Sequence, residues 1–340
     1  MPVNKIFILS FCILAFSFLA NAQTSCVQNL RDARNAYDEG RLKTLSNLLS
    51  NCVEDGFTKE EKVEALRLIT LSHLFNEDQA EAEKSYLKLL KINPEFTPNE
   101  ESDPIELIIL AENFDAEPKF FFGFKGGASY NIMQIQYESN HNLLLPGTYD
   151  LPLGISGGLF FQYPITKEIS ANLEAIYNFR NTILNRPIES AEGNNFQIIE
   201  ETQQWLEMPI LVNYKLPWVK KFLLEATAGP SFHYLLMSGV NLNGLGEELN
   251  NYDMLSFRNQ FNMSGILGLR ANFKELGVNF ITTELLFQYR ILDEVNKSAM
   301  TEQQRLELNS VAYSNFDYKG HAIWLRLGIR FPYFKPELKK

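Results

Sequence analysis

Histidine and cysteine are scarce in this chain. Four histidines and three cysteines are spread over 340 residues. No His-Glu-x-x-His run, no nucleophile elbow and no glycine-rich phosphate loop between a strand and a helix occurs. A metal site would want more ligands than these few imidazoles and thiols, and neither a metal nor a cofactor is expected. Basic charge is short as well. The formal net charge is -10, which excludes a nucleic-acid-binding surface.

The N-terminus has the layout of an export signal. Lys5 gives a short positive region, "IFILSFCILAFSFLA" an apolar one, and "ANA" before Gln23 a small-residue cleavage site. Residues 1–22 are read as a signal peptide. Cys12 leaves with it, so the mature chain keeps Cys26 and Cys52. In an oxidising compartment an isolated pair is a disulfide candidate.

From 23 to 117 the apolar spacing is helical. In "VQNLRDARNAYDEG", Val27, Leu30, Ala33, Ala36 and Tyr37 form one stripe and Gly40 ends it. A second helix follows, and a hairpin folded at Gly40 brings Cys26 level with Cys52. Thr58 with Glu61 is a capping box opening a third helix. A fourth, "QAEAEKSYLKLLKI", ends before Asn93-Pro94 and resembles the second helix of a tetratricopeptide unit. A fifth begins at Pro104. This segment holds 20 Asp and Glu against 10 Lys and Arg, so it carries the chain's net acidity. It is read as a small all-α periplasmic domain.

After Lys119 the period becomes two. Alternating runs near 119–132, 152–163, 168–181, 203–215, 221–236, 259–273, 278–292 and 319–333 predict about eight antiparallel strands. "ITKE", "LPWVKK" and "KELG" are tight turns. The other connections, 133–151, 182–202, 237–257 and 293–318, are long and polar. Short turns at one end and long loops at the other are the layout of a transmembrane barrel, here 118–340. Pro209 and Pro230 fall inside strands, where a bulge or bend is expected.

Alternation alone permits a soluble barrel with an apolar interior. Three features favour the inverse. Gly123, Gly127, Gly154, Gly158, Gly229, Gly268 and Gly328 gather on the polar face, where small residues relieve crowding in a narrow lumen. Charges of both signs mix on that face. Aromatics mark both ends of the apolar face, as at the two interfaces of a bilayer. The polar set then faces inward: Lys125, Glu174, Arg180, Glu207, Glu225, Arg270, Glu284, Arg290, Arg326 and Arg330. An eight-stranded lumen is just wide enough for such side chains to fill.

"WLEMPILVNYKL", "FLLEATAGPSFHYLL" and the terminal "GHAIWLRLGIRF" resemble strands of the PorT-type outer-membrane β-barrel family. The resemblance spans about 119–334. It implies an eight-stranded outer-membrane barrel of a kind common in bacteria with type IX secretion and gliding, and it does not imply an enzyme or a defined ligand. The helical segment and "KPELKK" after the last aromatics depart from that pattern.

The expectation is a non-enzymatic outer-membrane protein. Its barrel contacts outer-membrane lipid, and residues 23–117 dock a periplasmic or envelope protein as an accessory of secretion or gliding machinery. One alternative is a barrel that binds or passes small solutes. Another is a lipid-modifying enzyme using Ser231 and His233 with Glu225.

Overall fold

The computed structural model describes residues 25–137, 148–150, 153–188, 195–218, 222–243, 249–274, 280–296 and 317–339. The expected signal peptide lies outside them. The described chain forms two compact units, one helical and one a sheet over Lys119–Tyr333.

The helical unit starts with α1 at 25–38. Gly40 ends it at φ 75, with Gly40 N–H donating to the Tyr37 carbonyl and Arg41 N–H to that of Ala36. This is a left-handed cap that a Cβ would strain. α2 (Leu45–Glu54), α3 (Lys59–Phe75), α4 (Gln79–Ile92) and α5 (Ile105–Glu112) follow. The capping box is formed: the Thr58 hydroxyl accepts from Glu61 N–H, and the Glu61 carboxylate from Thr58 N–H at 2.9 Å. Leu30, Ala33, Ala36, Leu45, Leu49, Ala65 and Leu68 pack one core. Tyr86, Leu89, Leu107, Leu110 and Phe114 pack a second. Cys26 and Cys52 are joined by a disulfide between α1 and α2, with Cα atoms 5.6 Å apart.

This unit also holds the end of the chain, Phe334–Lys340. β1 (Phe114–Asp115) pairs antiparallel with β12 (Glu337–Leu338), and Lys339 N–H donates to the Asn113 carbonyl at 2.7 Å. The alternating pattern assigns these last residues to the barrel, 118–340. They pair instead with β1, each strand satisfying backbone groups of the other.

The second unit is built from β2 (Pro118–Tyr137), β4 (Leu153–Pro164), β5 (Ile169–Ile188), β6 (Asn195–Lys215), β7 (Leu223–Asn243), β9 (Phe261–Lys274), β10 (Phe280–Arg290) and β11 (Asp317–Phe334). Each pairs with its neighbour in sequence, and β11 lies beside β2, so the eight strands close into a barrel. Two short strands are added: β3 (Thr148–Asp150) on β5 and β8 (Leu249–Asp253) on β7.

β5, β6 and β7 run well past their predicted ends. Thr182 to Ile188 pair residue for residue with Glu201 to Asn195, so most of the expected 182–202 loop is ladder. The register passes Pro209 and Pro230 without a bulge. Pairing lapses beside both prolines: Glu174 and Ala175 have no ladder partner on β6 next to Pro209, and Ile210 and Leu211 have none on β7 opposite Pro230 and Gly229, as a missing donor dictates. The one register shift between β6 and β7 falls at Gln204/Trp205 instead.

Along β10 the polar set Thr282, Glu284, Gln288 and Arg290 is buried with Leu286, while Ile281, Leu285, Phe287 and Tyr289 are exposed. The same inversion holds on β5, where Asn172, Glu174, Asn178 and Arg180 are buried and Leu173 and Tyr177 exposed. Tyr130, Tyr177, Tyr234, Phe287 and Tyr289 stand exposed toward the long connections; Tyr163, Tyr214, Phe273 and Tyr333 stand exposed toward the short turns. No helix among the described residues is long and apolar enough to cross a membrane.

Candidate functional site

The lumen is filled with side chains rather than open. Three layers stack from the short-turn end outward. In the first, Lys125 Nζ donates to Glu174 at 2.6 Å and to Glu284 at 2.8 Å. Arg270 Nε donates to the same Glu284 oxygen at 2.7 Å and lies 3.5 Å from Glu174. Arg270 and Arg330 flank Glu225 at 3.8 and 4.0 Å, and Arg330 donates to Gln162 at 3.2 Å.

The middle layer turns on Glu207. Asn178 donates to it at 2.9 Å, Arg290 at 3.3 Å, and Arg326 lies 3.9 Å away. Arg326 also reaches Glu174 at 3.6 Å, linking this layer to the first. In the outer layer Arg180 pairs with Glu294 and Arg258 with Glu201, the latter at 2.7 Å. Aromatic faces line the guanidinium groups: Arg290 sits 4.5 Å above Trp205, Arg326 4.6 Å above Trp324 and Arg330 4.2 Å above Phe121. These contacts offset part of the cost of burying the cations.

All ten residues singled out in the sequence meet here: Lys125, Glu174, Arg180, Glu207, Glu225, Arg270, Glu284, Arg290, Arg326 and Arg330 are buried and share partners with one another. Sequence reasoning missed Glu201, Arg258 and Glu294, which fall in or beside stretches read as loops. It also missed what lies above them. Leu184, Ile199, Val240, Leu242, Met254, Phe257, Val295 and Tyr318 form an apolar cluster at the long-connection end. The polar plug therefore has an apolar lid. Two glycines let the strands approach inside this crowd. A Cβ on Gly158 would run into the Ala175 carbonyl, and one on Gly268 into that of Leu285.

His233 does not meet the residues paired with it in the sequence. Its Nε2 lies 2.8 Å from Ser264 Oγ and its Nδ1 3.2 Å from Glu207, while Glu225 faces Arg270 and Arg330. Ser264, His233 and Glu207 follow the order nucleophile, base, orienting acid. All three are fully buried, and Gln288 also reaches His233 Nε2 at 3.4 Å. No group of His, Cys, Asp and Glu among the described residues could hold a metal ion.

A closed antiparallel barrel with an apolar outer band, aromatic rims and a charged, filled interior defines a membrane-spanning barrel of the outer-membrane type. The chain belongs to the family of outer membrane protein β-barrel domains, whose model matches residues 112–296. Solved structures with a similar fold include the outer membrane protein OprG from Pseudomonas aeruginosa (12% identity, 64% of this chain and 98% of that one, TM-score 0.35). The solution structure of outer membrane protein W from E. coli is also similar (14% identity, 63% and 98%, TM-score 0.30). So is Ail, the attachment invasion locus protein of Yersinia pestis (11% identity, 63% and 99%, TM-score 0.28). No curated protein matches.

Proposed function

We propose that this outer-membrane barrel is a sealed, non-enzymatic anchor, and that it carries its helical unit in the periplasm to dock another envelope protein. The observation that carries the first half is the lumen itself. Three interlocked ionic layers and an apolar lid leave the strands enclosing side chains rather than a path. Ser264, His233 and Glu207 are fully buried within that plug, which supports a structural role for them. The reading of a periplasmic helical unit is supported by the first and last barrel strands, β2 and β11, which begin and end on the short-turn side, the periplasmic side in barrels of this kind. The likeness of "WLEMPILVNYKL" to PorT-type barrels and of α4 to a tetratricopeptide helix supports an accessory role in secretion or gliding machinery.

Photo-crosslinkers placed at exposed helical positions of the full chain, Thr44, Glu60 and Lys88, test the docking role in intact cells. A discrete protein adduct from at least one of them is expected. Cross-linking to lipid alone from all three positions would contradict the reading, and protease access to the helical unit in unbroken cells would contradict its placement.

A further inference from the structure

The helical unit carries a cleft of about 760 Å³, within the size range of pockets that enclose a ligand or a short peptide stretch. Its floor is apolar: Leu71 and Leu74 on α3, with Tyr37 at the end of α1. Its rim is acidic. Asp38, Glu77 and Glu106 stand around it, from three different elements, with no basic residue among the lining side chains. A second cleft of about 400 Å³ shares Leu42 and Phe75 with the first, but Arg41 and Lys43 line it, so the acidic rim belongs to the first cleft alone.

Phe75 stands between the two clefts, at the last position of α3, and is 53% exposed. A large aromatic left half in water beside two hollows is the kind of anchor that dominates peptide recognition. Glu77 adds a second sign. It occupies left-handed backbone at φ 59 in the turn after α3, a conformation that costs a side-chain-bearing residue free energy and is common where function holds it. The turn thereby sets a carboxylate on the rim where glycine would have been the relaxed choice.

We infer that the first, acid-rimmed cleft is the docking surface of the helical unit, and that its occupant is a protein segment with lysines or arginines flanking an apolar anchor residue. The inference rests on the docking role proposed above and specifies its site. Charge decides among occupants. An anionic lipid surface is repelled by the acidic rim and by a segment carrying 20 acidic against 10 basic residues. A second copy of the chain would set the same acidic rim against itself in a two-fold contact. A cationic, partly apolar segment satisfies both floor and rim.

Full-length protein in zwitterionic nanodiscs is titrated with three short fluorescent peptides of equal length: one of Lys, Leu and Phe, one with Glu in place of Lys, and one of Lys and Ser. The first should bind at least about tenfold more tightly than the others. Phe75→Ala and the pair Glu77→Gln, Glu106→Gln should each weaken it about tenfold. Glu77→Gly keeps the turn relaxed and should weaken it too, which separates loss of the carboxylate from loss of fold. Equal binding of the Lys/Ser peptide, or wild-type affinity in these variants, would overturn the assignment. In cells, a photo-crosslinker at Thr44, beside the acid-rimmed cleft, is compared with one at Glu60, at the far end of α3. Adducts from Glu60 or Lys88 but not Thr44 would overturn the cleft and leave docking intact; adducts from none of the three would overturn both.

Discussion

Lys125 and Glu284 are 159 residues apart in the chain and meet at 2.8 Å inside the barrel. One comes from β2 and the other from β10, on either side of β11, which closes the sheet. Arg270 on β9 donates to the same carboxylate oxygen, so the contact draws together the strands near the seam. An outward-facing pair would be screened; here both side chains are almost wholly buried.

Lys125→Met should therefore destabilise the barrel by about 3–5 kcal/mol, because it leaves Glu174 and Glu284 short of a cation in a low-dielectric interior. Glu284→Gln alone should also cost stability. The double variant should lose less than the sum, a coupling a double-mutant cycle resolves. The temperature at which the folded gel mobility disappears is the readout.

Gly158→Ala and Gly268→Ala should each weaken or block barrel closure, costing at least about 1–3 kcal/mol, because the added methyl meets a neighbouring backbone carbonyl that cannot move aside. Gly265→Ala is the control. No atom lies within 4 Å of its added Cβ, so it should fold like the parent. Folding yield from urea into detergent compares the three.

Cys52→Ser should cost the helical unit about 3 kcal/mol, from release of a loop closed across 26 positions of sequence. The barrel strands should be unaffected. The helical circular-dichroism signal of the full chain should then melt earlier, with or without reductant. The parent should match it only when reduced.

Tyr86 supplies a pH dependence. Burial, reinforced by Asp103, pushes its hydroxyl up to about 12. In the unfolded chain it ionises near 10. Its contribution is therefore constant below about pH 10 and is lost as pH rises from about 10 through 12, by on the order of 2 kcal/mol. Tyr86→Phe should flatten that alkaline decline in helical stability. An unchanged decline would show that another group causes it.

Much of the barrel was legible because lipid inverts the usual code. On β10 the apolar residues Ile281, Leu285, Phe287 and Tyr289 face out, and the same period of two recurs on every long strand. The code fails where the strands pass beyond the apolar band. There Leu184, Ile199, Val240 and Leu242 turn inward while Asn181, Asn185, Glu200 and Asn241 stand less buried, as in a soluble sheet. The phase of the pattern flips, so the stretch reads as polar loop. Glu201 and Glu294 were lost with it. The ten lumen residues were legible as a set, since alternation assigns a face, but their pairing was not. His233 is the example: residues two apart on one strand share a face, yet its partners Ser264 and Glu207 come from the two neighbouring strands. The cleft at Phe75 was invisible for a related reason. Its floor and rim come from α1, α3, the turn after it and α5, and one-dimensional periodicity does not show which helix ends meet.

The central claim is that the barrel anchors and does not conduct. Purified full-length protein inserted into planar bilayers tests it most directly, with insertion verified by folded gel mobility. The account predicts no stepwise current across a sustained voltage ramp. Discrete, reproducible conductance steps from the parent protein would contradict it.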